Sequence, residues 1–234
     1  MGSRVAQPLV IAHRGASGEL PGNTLEAFER AIALGADMVE FDVRRTADDR
    51  LIVFHDAEVA GRPVGWSTRQ QIRAGTGILP PLLEEVLGLT RGRVGIDVEI
   101  KEAGITARVV SAVSATGRPD ATVLSSFLGR VVWELAELAP GFERGLIVGR
   151  RPPAAGRRRS PVERAVALGA SHLMLQRGLA RGSVLDKAAG AGLAVFIWTV
   201  DDRRSLVAYL NDPRVRGVVT DVPGLALRVL GERS

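Results

Sequence analysis

The feature that most limits what this chain can become is an unbroken alternation of short apolar runs with stretches of helical period. Runs at residues 9–12, 38–43, 93–100, 122–124, 145–148, 172–175, 193–198 and 217–220 read as strands. Helical patterns follow them at 23–34, 81–87, 105–115, 127–138, 161–168, 182–191, 203–210 and 223–230. In the first of these, Leu25, Phe28, Ala31, Ile32 and Leu34 share the buried side. In the second, Pro81 stands at the start, where a missing amide proton costs nothing. Eight strand–helix units without a break predict an α/β fold, an eight-stranded parallel (TIM-type) β/α barrel. An open doubly wound sheet is the alternative, but no Gly-rich dinucleotide fingerprint follows the first strand.

The 234 residues, 46% hydrophobic, suffice for one sizeable core, and no linker or low-complexity segment divides them. One barrel domain over 1–234 is the expectation. The absence of cysteine excludes a disulfide framework and a thiolate metal site. No apolar run is long enough to span a bilayer, and Met1-Gly2-Ser3-Arg4 lacks a signal-peptide core, so the chain reads as cytoplasmic. The net charge of +5 comes almost wholly from arginine, the lysines being Lys101 and Lys187. With 4% aromatic residues and no RNA-binding signature, no nucleic-acid partner is expected; the charge reads as solubility and a preference for anionic substrates.

In such barrels the chemistry gathers at the C-terminal ends of the strands. That places His13 and Arg14, then Glu40 and Asp42, then Glu99 and Lys101, and finally Trp198 on one face. Glu40 and Asp42 are two residues apart and point to one side of their strand, where they repel unless a cation lies between them. The chain turns at 47–49 and returns through Leu51-Ile52-Val53-Phe54, which brings His55 back towards the acidic pair as a general acid/base. In Ile96-Asp97-Val98-Glu99-Ile100-Lys101 the charged residues share one face, and charges pointing into a barrel are costly unless paired or metal-bound. Glu99 is then a third oxygen ligand, and three carboxylates suit one hard divalent cation, Mg²⁺ or Ca²⁺. A buried ion-pair network around Lys101 is the competing reading. His13-Arg14-Gly15 adds an imidazole and a guanidinium, completing a set fit for a phosphate ester. His172 begins its strand, at the opposite end, and reads as structural.

Together these residues resemble the glycerophosphodiester phosphodiesterase family. The resemblance runs through His13-Arg14-Gly15, Pro21-Gly22-Asn23-Thr24-Leu25-Glu26-Ala27-Phe28 and Gly35-Ala36-Asp37-Met38-Val39-Glu40-Phe41-Asp42-Val43. It continues through Thr46, Asp48, His55-Asp56, Leu82-Leu83-Glu84-Glu85-Val86-Leu87, Glu99-Ile100-Lys101 and Ser125-Ser126-Phe127. It closes with Trp198-Thr199-Val200 and Gly217-Val218-Val219-Thr220-Asp221-Val222-Pro223. The resemblance implies an eight-stranded barrel, a divalent cation and hydrolysis of glycerophosphodiesters to glycerol 3-phosphate and an alcohol. It makes His13 and His55 the acid/base pair, Arg14 and Lys101 the phosphate contacts, and Glu40, Asp42 and Glu99 the metal ligands. Trp198 becomes an apolar wall for substrate, or ordinary core.

Three departures stand out. Gly22 replaces a glutamate common before Asn-Thr, with Glu19 as the candidate stand-in. Asp201 stands where asparagine is frequent, a change expected to be minor. The segment 57–79 is shorter than the insertion many members carry, which predicts a more open site. The loop at 149–160, with Arg150, Arg151, Arg157, Arg158 and Arg159, emerges on the catalytic face. It reads as a solvated loop, with weak contact to a phospholipid surface as the functional alternative. Other functional readings are a lysophospholipase D-type phosphodiesterase, with Trp198 and Phe54 at an apolar rim, and a non-catalytic binder of phosphate-bearing lipids. The oligomeric state is not encoded in any of these patterns.

Overall fold

The computed structural model describes residues 7–115, 119–150 and 159–232. In chain order they form β1 (Leu9–His13), α1 (Leu25–Leu34), β2 (Met38–Arg45), β3 (Leu51–Val53), β4 (Glu58–Val59), β5 (Arg62–Pro63), α2 (Arg69–Thr76), α3 (Leu83–Thr90) and β6 (Gly95–Ile100). Next come α4 (Thr106–Ser114), β7 (Thr122–Ser126), α5 (Gly129–Leu138), β8 (Glu143–Val148), α6 (Pro161–Ala167) and β9 (His172–Gln176). The last are α7 (Gly182–Gly190), β10 (Ala194–Trp198), α8 (Arg203–Leu210), β11 (Gly217–Thr220) and α9 (Pro223–Gly231). Strands β1, β11, β10, β9, β8, β7, β6 and β2 pair in that order, all parallel, and β1 pairs with β2 to close the barrel. The expected fold is the one observed. Among the described residues no helix is long and apolar enough to cross a membrane.

Inside the barrel, Ile11, Met38, Val123, Ile147, Met174, Phe196 and Val219 fill the middle. Two larger apolar clusters lie between strands and helices, one beneath α1, α3, α4 and α5 and one beneath α6 to α9. On the helix side β2 and β6 present Val39, Phe41, Val43, Ile96, Val98 and Ile100, while their inward positions turn acidic towards the C-terminal mouth. An alternation of period two thus supplies packing on one side and chemistry on the other.

Element ends differ from the sequence pattern for identifiable reasons. Helix α1 begins at Leu25 because Asn23 has φ 60° and Thr24 is the cap, its hydroxyl accepting from Ala27 N at 3.2 Å. The helix expected from Pro81 starts at Leu83. Pro81 instead offers its carbonyl to Val53 N at 2.8 Å, prolonging the β3 edge, and the Glu85 carboxylate accepts from Leu82 N at 2.6 Å. Segment 57–79 holds a β4–β5 hairpin and α2 around a small core of Ile52, Val64 and Ile72. Phe54 packs against that core.

Candidate active site

At the C-terminal mouth, parallel register aligns the functional positions in rows. His13 on β1 stands opposite Glu40 on β2, Glu40 opposite Asp97 on β6, and Asp42 opposite Glu99. Lys101 follows β6 directly, Trp198 ends β10, and His55 follows β3 after Val53 has paired with Val43. A cavity of about 240 Å³ takes its polar side from His13, Arg14, Glu40, His55, Glu99 and Lys101. Its apolar side is Phe127, Ile147, Met174, Trp198 and Val219. Asp42 lies beneath, completely buried. Each site residue singled out from the sequence is therefore in this one mouth.

A larger cavity of about 610 Å³ lies at the opposite end, lined by His172 and a mixture of Arg93, Arg216, Asp37, Asp120 and Glu143. Its size reflects the open barrel floor. Among the described residues the close cluster of three carboxylates belongs to the smaller cavity, at the C-terminal ends of the strands, where barrels of this kind carry their chemistry. His172 packs edge-on to Phe196, as a structural residue would.

The backbone is shaped around the acids. Gly15 has φ 82°, and a Cβ there would fall 2.5 Å from the Ala27 carbonyl carbon, so the loop after β1 can lie directly on α1. Arg14 and Asn23 also have left-handed backbones, at φ 56° and 60°. They are fastened by Arg14 N donating to Glu40 Oε2 at 3.0 Å and Asn23 N donating to Arg14 O at 3.0 Å. Such strain collects where the surroundings over-determine the chain. Asn23 then donates its amide to Asp42 Oδ2 at 2.7 Å.

Glu40, Asp42 and Glu99 offer oxygens that all lie within 4.8 Å of one another, and all three residues are buried. Lys101 Nζ stands 2.8 Å from Asp42 Oδ1 and 2.6 Å from Glu99 Oε1, and Arg14 Nε stands 3.2 Å from Asp42 Oδ2. These approaches are close but poorly directed. Asp42 Oδ1, Glu99 Oε1 and Arg14 Nε have no hydrogen bond of good geometry. Asp97, one layer deeper, accepts from Ser125 Oγ at 2.7 Å. Four buried carboxylates thus face two cations, Arg14 and Lys101.

The excess negative charge shows in the proton affinities. Burial raises Glu40 well above the carboxylate range, and repulsion from Asp42, Glu99 and Asp97 adds to it. Burial pushes Glu99 up to about 7 despite Lys101, and pushes Asp97 to about 7 despite Ser125. Asp42 goes the other way. Burial would raise it, but Lys101, Arg14 and the Asn23 amide together hold it low. Burial also tends to lower Lys101, yet Asp42 and Glu99 raise it overall. The competing ion-pair reading, with Lys101 and Arg14 as counter-ions, balances two of the four negative charges, and the remainder calls for protons or a dication. The donor set, all carboxylate oxygen, fits Mg²⁺ or Ca²⁺.

Both histidines are backed by aspartates. His13 Nδ1 lies 2.6 Å from Asp221 Oδ1, and His55 Nδ1 lies 2.7 Å from Asp56 Oδ1. The first pair is the more enclosed, with side-chain exposures of 18% and 39% against 41% and 67%. Burial pulls His55 below its ordinary value, more strongly than Asp56 raises it. Trp198 meets Phe127 edge to face at 5.5 Å and donates its indole N–H to Met174 O at 3.2 Å, so it is a fixed wall. Sequence reasoning quoted Asp56 and Asp221 without giving them roles, and passed over Phe127 as a wall residue. Glu19 is no stand-in at position 22. It pairs with Arg30 at 2.6 Å on the outer surface. The arginine loop lies mostly outside the described residues, at 151–158; Arg150 N donates to Gln176 Oε1 at 3.0 Å.

The sequence model of the Glycerophosphoryl diester phosphodiesterase family matches residues 13–225. A glycerophosphodiester phosphodiesterase of Caldanaerobacter subterraneus subsp. tengcongensis is 30% identical over 236 residues, 92% of this chain and 94% of its own. The crystal structure of a glycerophosphodiester phosphodiesterase from Agrobacterium tumefaciens superimposes with a TM-score of 0.78 at 26% identity, covering 94% of this chain and 99% of its own. An Oleispira antarctica phosphodiesterase, solved with its product sn-glycerol-3-phosphate, shares the fold with a TM-score of 0.78 at 23% identity, covering 96% and 97%.

Proposed function

This chain belongs to the glycerophosphoryl diester phosphodiesterase family, and we propose that it hydrolyses glycerophosphodiesters with one divalent cation and a pair of histidines. It is a phosphoric diester hydrolase, and the products are glycerol 3-phosphate and an alcohol. The observation that carries the finer reading is the buried trio Glu40, Asp42 and Glu99, oversupplied with negative charge directly beside two aspartate-backed histidines. The trio would hold Mg²⁺ or Ca²⁺, whose chemistry here is to neutralise phosphoryl oxygens as the ester bond breaks. Arg14 and Lys101 bind the same oxygens from the side and fix the diester in line. One histidine takes a proton from the attacking oxygen, either of water or of the glycerol hydroxyl, and the other returns a proton to the leaving alkoxide; on the hydroxyl route water then opens the cyclic phosphate to give glycerol 3-phosphate. Trp198 and Phe127 close off the opposite side from water. The chain acts as one barrel domain in this reading.

The test is release of glycerol 3-phosphate from glycerophosphocholine and glycerophosphoethanolamine with Mg²⁺, Ca²⁺ or chelator. Release with a cation and none with chelator is expected. Addition of the productive cation at about 100 times its Kd should also raise the melting temperature by about 5–10 °C, and Glu99→Gln should abolish that shift. A cation that neither stabilises the native chain nor supports turnover would remove the metal from the reading.

The environment of His55 sets an expectation for pH. With its affinity for protons lowered by burial, His55 is neutral at pH 7 and able to accept one. Activity should fall as pH drops, with a limb below about 6.5, and that limb should be missing from the residual activity of His55→Gln. A native profile flat down to pH 5 would contradict the role.

Lysophospholipids form a second reading favoured by one observation. Phe127 and Leu128 are 42% and 39% exposed at the mouth, whereas Phe54, the residue first assigned to such a rim, is turned into the small core of the insertion. Weak phospholipid contact through Arg150 and Arg159 would accompany it, and would weaken with salt. Binding of phosphate lipids without turnover, surviving His55→Ala, would instead leave the barrel as a binder.

A further inference from the structure

The loop after β11 holds a network that reaches the mouth from the far end of the chain. Asp221 Oδ1 lies 2.6 Å from His13 Nδ1 and accepts from Ser17 Oγ at 2.7 Å. Its backbone is pinned on both sides. Asp221 N donates to Asp201 Oδ1 at 2.8 Å, and Asp221 O accepts from Gly18 N at 2.8 Å. Thr220 Oγ1 donates to Asp201 Oδ1 as well, at 3.1 Å, so Asp201 fastens two successive residues. A Cβ at Gly18 would fall 2.7 Å from Asp221 O, which shows how closely the two loops are pressed together.

A ring nitrogen at 2.6 Å from an acceptor-only carboxylate must carry a proton, since two lone pairs would repel. The neutral imidazole of His13 is then protonated on Nδ1 and presents the lone pair of Nε2 to the cavity, where it stands 3.9 Å from Glu40 Oε2. We infer that Asp221 is a positioning residue that fixes the tautomer and direction of His13, and that Asp201 holds Asp221 in place to do so. The inference rests on the acid/base reading of His13 for its kinetic consequence, but not for its structural one. His55 has no equivalent brace. Asp56 is its chain neighbour and mostly exposed, and among the described residues no second element anchors that carboxylate. Water can replace Asp56 more readily than Asp221.

The experiment is nitrogen NMR of the histidine rings, assigned by His→Gln variants, alongside steady-state kinetics on glycerophosphocholine with saturating Mg²⁺ or Ca²⁺. In the native chain His13 should be a single Nδ1–H tautomer, and in Asp221→Ala a mixture. That variant should lose about 10²-fold in kcat with KM changed less than 3-fold, and Asp56→Ala should lose less than 10-fold. Asp201→Asn, whose amide oxygen can still accept from Asp221 N, should keep the tautomer and rate, while Asp201→Ala should mix the tautomers. If Asp221→Ala does not fold, the Asp201 pair and Ser17→Ala carry the same ring readout. An unmixed His13 tautomer in Asp221→Ala and Asp201→Ala, or an equal loss of rate in Asp56→Ala, overturns the inference. A mixed tautomer in a His13-dependent ring signal, with His13→Gln still turning over at the native rate, would keep the brace and discard the acid/base role.

Discussion

Lys101→Met is expected to destabilise the cation-free protein by about 3 kcal/mol at pH 8 and to abolish most turnover. The ammonium lies within 2.8 Å of Asp42 Oδ1 and 2.6 Å of Glu99 Oε1, and both carboxylates are buried. Removing one partner of a buried ion pair costs about 3–5 kcal/mol because the other charge is left uncompensated. Part of that cost can be escaped by protonation, which is why the lower end is expected. The loss should therefore depend on pH. Burial already raises Glu99 to about 7 with Lys101 opposing it, and without Lys101 it rises further. Between the ordinary carboxylate range and that raised value the folded state keeps a proton the unfolded chain has released. The unfolded state then binds fewer protons, so stability falls as pH rises through this window. Denaturant melts at pH 5 and pH 8 should show the smaller deficit at pH 5. Adding Mg²⁺ or Ca²⁺ should recover part of the stability at pH 8 but little of the rate, because a cation on the trio balances charge without replacing the phosphate contact. A variant whose stability recovers together with its full activity would make Lys101 a structural counter-ion only.

How far the site was legible follows from the distances involved. Glu40, Asp42, Asp97, Glu99 and Lys101 were readable because a strand's period of two puts alternate residues on one face, and β2 and β6 pair in a register that merges both faces into the mouth. His55 was readable because a hairpin is local. Asp221 is 208 residues from His13, and only barrel closure, which sets β11 beside β1, brings them together. The eight-unit pattern implied that closure, so the carboxylate after the last strand could have been assigned to the histidine after the first. Helix α2 was missed for the opposite reason. Its sequence Arg-Gln-Gln-Ile-Arg-Ala-Gly-Thr buries Ile72 alone, so there is no apolar period to detect. Its start was nevertheless written in the Thr68–Gln71 capping box, where each side chain bonds the other's backbone. Asp201, a departure expected to be minor, holds the backbone beside the mouth through an oxygen that aspartate and asparagine both offer to Asp221 N.

The largest kinetic effect is expected from His13→Ala, a loss of about 10³-fold in kcat on glycerophosphocholine with the cation saturating. Its ring is 18% exposed, lies in the polar wall of the cavity and is held in one direction by Asp221, an orientation that a water in the vacated space would not reproduce. His55, at 41% exposure, should cost less when truncated, because water can partly take over its proton transfer. The double variant should be little worse than His13→Ala alone, since residues acting in one proton-transfer sequence are strongly non-additive. Stability offers the control. His13 is not among the carboxylate donors, so His13→Ala should keep the cation-induced rise in melting temperature that Glu99→Gln loses. A His13→Ala protein that binds the cation normally and is catalytically silent separates proton transfer from metal binding. One that keeps more than a tenth of the native kcat would move the proton chemistry elsewhere. Proton transfer would then rest on His55, and the Asp221 brace would serve only to seat Arg14, which follows His13 in the loop that Asp221 holds through His13 and Gly18.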